Sequence, residues 1–444
     1  MSPALRPLHL PKETEATLSN GLRVLVAPRG RIPLVSIRLS IHGGSAADVP
    51  GKEGLADFAA KLLRRGAASL SADAIDEAVE LHGGSLAIGA GEDTVALAIT
   101  APAEHLGPML DVLGKIVASP TFALEEVASA RERTLAQLAS ELDDPSAVAE
   151  RAITRAIWGE HPYGHDVSGR PASVATFTRD DALAFHRDRT GPKVTWLTVV
   201  GAVQPARAIE LAEEAFAPWR GGPESSPEAP RRERADMAGK ILLVDKPDQT
   251  QSQVRIGDVA LTKRHPDYLP ATVVNCVLGA GFTSRLVDEI RVNRGLSYGV
   301  SSYLGPLRSG GTLVIDTFTK TGSTREIIDV ALAEVEKLRK KGLRASELEK
   351  AKTYLCGLFP LRIETNEALA AGFADLRLNA LGNDWIERYR ERVQAVTQAE
   401  ALRLAREHFL PRPPAIAIVG KASEVAPQLE GLGEIVQIKV ADVG

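Results

Sequence analysis

The stretch Gly54-Leu-Ala-Asp-Phe-Ala-Ala-Lys-Leu-Leu-Arg-Arg-Gly66 reads as a short helix that opens on one glycine and closes in a tight turn to another. Asp57 and Lys61 stand at i and i+4 on one face, the spacing of a surface ion pair worth roughly 0.2–0.5 kcal/mol. Ala60 lies between them and cannot accept a proton. A catalytic zinc ion needs three ligands drawn from imidazole, carboxylate and thiolate, with a fourth position open to water. Asp57 alone does not supply that set, and Lys61 would bring positive charge against the ion.

Working outward, the chain repeats itself once. Val24–Pro28 followed by Leu34–Leu39 reads as two strands, and Leu242–Pro247 followed by Gln253–Ile256 reads as the same pair later. Pro28 to Pro247, Ile37 to Ile256 and Gly201 to Gly420 each give an offset of 219. One long period indicates duplicated domains, because a solenoid repeats over about 20–50 residues. Between the copies, Arg220 to Asp236 is rich in Gly, Pro, Ser and charge, with almost nothing to bury, and reads as a linker. The expected organisation is an N-terminal domain over 1–219, a linker over 220–238 and a C-terminal domain over 239–444.

Each half shows strands, a helix, strands, several helices and a last strand, which predicts an α+β fold with helices packed on a mainly antiparallel sheet. Ser85 to Thr100 alternates around Val95, Leu97 and Ile99, and Leu106, Met109, Leu110, Leu113 and Ile116 follow at helical spacing. In the second half Leu313–Phe318 is the matching strand. The next helix carries a capping-box pattern at Ser323 and Glu326 and stops near Gly342. Leu124 to Leu142 is a charged helix carrying Gln137, with Glu125, Glu126, Glu132 and Glu141 read as solvated charges.

At 444 residues the chain exceeds one core, and 44% hydrophobic against 25% charged residues is a globular balance. A net charge of −4 gives no reason to expect nucleic acid or an anionic membrane as partner. Cys276 and Cys356 sit in apolar stretches without metal spacing and read as buried thiols. No apolar run reaches the ~18 residues of a membrane span. Met1–Pro11 has no apolar core of a secretory signal, so the expectation is cytoplasmic, or periplasmic if a leader preceded Met1.

The Gly54–Gly66 frame, with His82-Gly-Gly-Ser-Leu86, Pro120-Thr-Phe122, His161-Pro-Tyr-Gly164 and the two strands ending in Val-Gly, resembles the pitrilysin/insulinase family of metallopeptidases, the inverzincins. The resemblance runs from about Thr17 to Gly420. In that family a helix carries H-x-x-E-H, and a Glu on a later helix completes the zinc site. Here Asp57, Ala60 and Lys61 stand at the first His, the Glu and the second His, and the third ligand falls on Gln137, since 137 minus 61 is 76. The resemblance implies a degenerate metal site, with no cofactor in this chain.

In the same family an active unit pairs a zinc-bearing half with a half that contributes an Arg and a Tyr separated by six residues. Arg291-Val-Asn-Arg-Gly-Leu-Ser-Tyr298 matches that pattern. Thr283 to Arg291 reads as a short helix closed by Asn293 to Gly295, and Tyr298 as the first residue of a strand to Tyr303. Positioned donors suit a developing oxyanion and are typically worth about 2.7–4 kcal/mol. An Arg merely stacked on a Tyr at an exposed site is worth about 0.5–1 kcal/mol.

The resemblance therefore implies a non-catalytic subunit of a heterodimeric zinc metalloendopeptidase, inactive alone. Its partner would be an H-x-x-E-H family member holding the zinc, and its substrate a peptide or unfolded polypeptide. The rival expectation is a catalytically inert peptide-binding or structural protein on the same scaffold, homodimeric in one version. Two other motifs are set aside. Pro162 and Gly164 make a turn of His161–His165, and Val277–Phe282 lacks the spacing of a phosphate loop and the longer Gly-rich run of the mitochondrial processing peptidase's non-catalytic subunit.

Overall fold

The computed structural model describes residues 8–30 and 32–443, so most of the leader segment read above, Met1–Pro7, lies outside the described residues. The first sheet has six strands, in the order Ser85–Ala90, Thr94–Pro102, Leu34–His42, Thr195–Gly201, Arg23–Pro28 and Thr14–Thr17. All neighbours are antiparallel except Thr195–Gly201 beside Arg23–Pro28. The second sheet repeats the first five positions with Val300–Pro306, Gly311–Lys320, Gln251–Val259, Ala415–Gly420 and Lys240–Asp245. It departs at the sixth, where Glu434–Lys439 pairs in parallel. The fold is α+β with two sheet-containing units. Every residue of Thr195–Gly201 and of Ala415–Gly420 is buried, as befits central strands.

The register corrects the single repeat offset. Gly201 lies opposite Pro28 and Gly420 opposite Asp245, so these strands are related by 245 minus 28, or 217, while the glycines are 219 apart. Pro247 therefore lies two residues past the equivalent of Pro28. A slip of two leaves every side chain on its own face, which is why the apolar pattern did not expose it.

Two local expectations also change. Ser85 to Thr100 is a hairpin of two strands, turning where the Gly91 N–H donates to the Thr94 carbonyl at 2.8 Å. Helix Thr324–Lys341 ends at Gly342 with φ +69°, but the Ser323 side chain makes no cap bond. A single 3₁₀ turn over Thr321–Ser323 leads into that helix, with the Thr324 hydroxyl bonded to Ser252 Oγ and the Thr321 carbonyl.

The compact units are not the two contiguous halves. One comprises residues up to Gln137, Asp166–Glu228 and Pro360–Glu387, and the other Leu138–His165, Ala229–Phe359 and the chain from Arg388. Helix Pro145–Trp158, from the first half, packs on strands Gln251–Val259 and Ala415–Gly420. Helix Asn366–Leu378, from the second half, packs on Leu34–His42 and Thr195–Gly201.

In each sheet an arginine lies beside the packed helix, Arg255 buried and Arg38 half-buried. Arg255, 2% exposed, meets Asp316 Oδ1 at 2.9 Å, donates to Ser146 Oγ at 3.0 Å and has Glu150 Oε2 3.6 Å away. The Tyr303 hydroxyl donates to Glu150 at 2.8 Å, and burial followed by the Glu150 charge pushes that phenol's pKa well up. Arg38 is the equivalent in the first sheet. Burial lowers its pKa, opposed by the charges of Glu367 and Asp375 on the packed helix. Arg255 minus Arg38 and Glu367 minus Glu150 are both 217.

The expected linker is less idle than its composition suggests. Asp236 and Met237 donate their N–H groups to the carbonyls of Ile157 and Ala156 at 2.8 and 2.9 Å, satisfying acceptors at a helix end. Ala235 is buried, with its N–H on Asp258 Oδ1 at 2.6 Å. Among the described residues no helix is long and apolar enough to cross a membrane. Arg255→Ala should lower the unfolding free energy by about 3 kcal/mol, because it strands acidic partners around a cavity. Glu150→Gln, whose carboxylate is half exposed, should cost under ~1 kcal/mol. Urea denaturation of the two variants checks that ranking.

Candidate functional site

Helix Leu55–Leu63 begins with no capping side chain of its own, since Gly54 occupies the N-cap. Asp48 supplies the missing acceptors: its carboxylate takes the N–H groups of Gly54 at 2.7 Å and Ala56 at 2.8 Å. Burial dominates those bonds and pushes the Asp48 pKa up to about 8. Gly54 has φ +95°, and a Cβ there would lie 2.6 Å from Gly169 Cα and from the Ser168 carbonyl oxygen. Asp48 was not singled out from sequence, because it lies six residues before the helix.

The structure brings three of the four degenerate positions together. Lys61 Nζ lies 2.6 Å from Asp57 Oδ2 and donates to Gln137 Oε1 at 3.5 Å, while Ala60 is buried one position away. Helix Leu124–Asp143 carries Gln137 past the first helix. The ion pair is not the surface pair its spacing predicted, as the Asp57 side chain is only 9% exposed. These residues do not fit zinc. An ammonium stands between the two oxygen donors, and the only carboxylate of the group is already neutralised by it. The same charges make Lys61 a tie between two helices.

Arg291 and Tyr298 lie in the other unit, on a segment whose backbone is anchored. The expected short helix is π-helical over Val287–Asn293, and the strand begins at Val300, so Tyr298 belongs to the connecting loop instead of opening the strand. Gly295 takes φ +62° in that turn. Behind the loop, Thr319 Oγ1 donates to the Leu296 carbonyl at 2.8 Å and Thr317 Oγ1 to the Gly299 carbonyl at 2.9 Å. Tyr298 is 85% exposed. The Arg291 guanidinium lies 5.6 Å from the Phe282 ring centroid, so its stacking partner is Phe282, not a tyrosine. Neither Arg291 nor Tyr298 forms a hydrogen bond or ion pair among the described residues. Phe282 was named only as the end of a glycine-containing segment, and exposure, which sequence does not show, is what distinguishes it.

The remaining candidates are structural. His161–His165 is a turn, with His161 Nε2 against the Pro230 carbonyl at 2.6 Å and its pKa lowered chiefly by burial. Asp267, Glu407 and His408 cluster closely enough to hold a cation, but Arg403 bonds both carboxylates, and its bond to Asp267 keeps that acid well below the usual range. Both cysteines are free and buried, and burial pushes the Cys276 thiol up to about 11.

Gly54→Ala should destabilise the protein by ~2 kcal/mol or more, since the added methyl meets backbone in a conformation that side chains avoid. A urea midpoint unchanged from wild type would contradict the close crossing at Gly169. The Asp48 pKa lies above its unfolded value, so the stability it contributes is fully present below about pH 4 and is lost as pH rises through about 8. Asp48→Asn should therefore gain on wild type as pH is raised across that window, read as the difference in urea midpoint at pH 5 and pH 8.5.

Comparison with known proteins covers both units. A family model described as Insulinase (Peptidase family M16) matches residues 23–170, and one described as Peptidase M16 inactive domain matches residues 176–355. An uncharacterized zinc protease of Mycobacterium bovis is 27% identical over 409 residues, covering 91% of this chain and 92% of its own. The crystal structure of a peptidase M16 inactive domain from Pseudomonas fluorescens superposes with a TM-score of 0.86 at 22% identity, over 92% of this chain and 98% of that one. A chain of complex III2 from Candida albicans shares the fold with a TM-score of 0.79 at 14% identity, over 95% of this chain and all of that one. The chain belongs to the insulinase family of peptidases, family M16.

Proposed function

We propose that the protein is the non-catalytic subunit of a heterodimeric zinc metalloendopeptidase, which lends Arg291 and Tyr298 to the active site of a partner bearing H-x-x-E-H. The observation that carries this reading is an asymmetry within one chain. At the zinc-helix positions every polar head is spent on another: Lys61 on Asp57 and on Gln137. At the Arg/Tyr segment both heads are exposed and uncommitted, on a loop fastened from behind by Thr317 and Thr319. A protein that kept the segment for packing alone would have no use for a guanidinium and a phenol facing solvent.

In this reading the zinc resides in the partner and supplies the Lewis acid and activated water there. This chain's guanidinium brings a permanent charge and a planar fork of donors, and its phenol one further O–H, to the carbonyl oxygen of a bound peptide. Both groups keep their donors free until substrate arrives, so they lose no internal bond on binding. A second reading has support from the shared fold with the complex III2 chain: a catalytically inert scaffold protein, in which the exposed pair would bind peptide or a neighbour without turnover.

The test is peptide hydrolysis by this chain alone, by the nearest H-x-x-E-H relative from the same genome alone, and by the mixture, with zinc counted in each. The expected result is activity only in the mixture, with zinc in the partner. Arg291→Ala and Tyr298→Ala should each lower kcat/KM of the mixture by about 10²-fold or more. A stable complex without turnover, or turnover indifferent to both substitutions, would move the assignment to the inert scaffold.

A further inference from the structure

The segment Val277–Phe282, which lacks the spacing of a phosphate loop, lies largely within one π-helical turn, Cys276–Ala280, and is followed by a second, Val287–Asn293. Such turns are a fraction of a per cent of residues in soluble proteins and concentrate at functional sites. The first is locked to the sheet. Asn275 Nδ2 donates to the Ser302 carbonyl at 3.0 Å, Ser302 Oγ returns a bond to Asn275 Oδ1 at 2.6 Å, and a Cβ on Gly279 would lie 2.4 Å from Ser302 Oγ. The second carries Arg291.

Between the first π turn and helix Ala345–Leu358 lies a cleft of about 430 Å³. Its rim is aromatic: Phe282 is 77% exposed and Tyr354 49%. Buried Val277 and Ala351 contribute apolar lining. The charges at the cleft are partly paired: Arg285 binds Glu347 through two bonds of 3.0 and 2.7 Å and spends a further donor on the Gly342 carbonyl, Arg344 also bonds Glu347, and Asp288 and Lys350 complete the lining. A surface aromatic normally covers itself, so two of them facing one cleft of ligand size mark a place for an apolar group. The Arg291 guanidinium lies over the same Phe282 ring, 5.6 Å from its centroid.

We infer that this cleft is a side-chain subsite that receives a large apolar side chain of a bound peptide. Phe282 adjoins both the guanidinium and the cleft, so a peptide whose carbonyl meets Arg291 has a neighbouring side chain within reach of the cleft. The apolar lining of Val277 and Ala351 suits an uncharged side chain, and the aromatic rim suits a flat or branched one. The link to Arg291 rests on the proposed function, whereas the affinity of the cleft for an apolar side chain does not.

The test separates the two. A fluorescein-labelled, end-blocked octapeptide with one Phe among Gly, Ser and Ala is titrated into the full chain and followed by anisotropy, beside its counterpart with Ser in place of Phe. The Phe peptide should bind about tenfold tighter or better. Phe282→Ala and Tyr354→Ala, both at exposed positions and so checked by unchanged melting, should each erase most of that difference. Tyr354→Ala leaves the stacking partner of Arg291 in place and guards against an indirect effect. Equal binding of the two peptides, or a Phe preference that survives both substitutions, would overturn the subsite. A retained preference in a chain that never supports turnover with a partner would instead overturn the proposed function and leave the subsite standing.

Discussion

Two arginines in the sheets, Arg38 and Arg255, are drawn out of water and met by acids, among them Glu367 and Glu150 on helices from the other half of the chain, beside Asp316 from the sheet of Arg255 itself. Taking a guanidinium out of water costs several kcal/mol unless its donors are satisfied. Glu150 and Glu367 share the 217-residue offset of the two arginines, so each arginine has an acid from the helix packed on its own sheet. The charges thereby add a registration along each helix that apolar contact lacks.

The same logic, carried out with opposite result, separates the two ends of the chemistry. Around Lys61 the polar groups close on one another, and helix Leu55–Leu63 is a packed element tied to the helix of Gln137. Asp48 and the Gly54–Gly169 crossing hold that helix at its start. Around Arg291 the order is reversed: the backbone is fastened and the side-chain heads are left open.

Much of this was legible in the sequence, and the parts that were not share a cause. Apolar runs locate the strands at Leu34–Leu39 and Leu197–Gly201, alternation the strand through Val95, Leu97 and Ile99, and helical spacing the helix Leu106–Ala118, because side-chain period follows backbone geometry directly. The spacing from Lys61 to Gln137 points to a real contact. What the sequence hides is whatever depends on the third dimension. The burial of Asp57, the capping by Asp48 from six residues upstream and the exchange of helices leave no local periodicity. The two-residue slip in the repeat preserves the pattern that would have revealed it. The π-helical turns before and after Phe282 look like ordinary helix in one dimension, and the exposure of Phe282 and Tyr298 is a property of their neighbours.

The account turns on whether Tyr298 reaches a peptide held in another subunit's zinc site. A photoreactive benzoylphenylalanine installed at position 298 reports this directly, with a slow peptide inhibitor and the H-x-x-E-H relative both present. The account predicts a cross-link from position 298 to the peptide, formed only in the mixture and lost when the partner's metal is chelated. A mixture that cleaves peptide while position 298 cross-links to nothing, or only to the partner's outer surface, would contradict it.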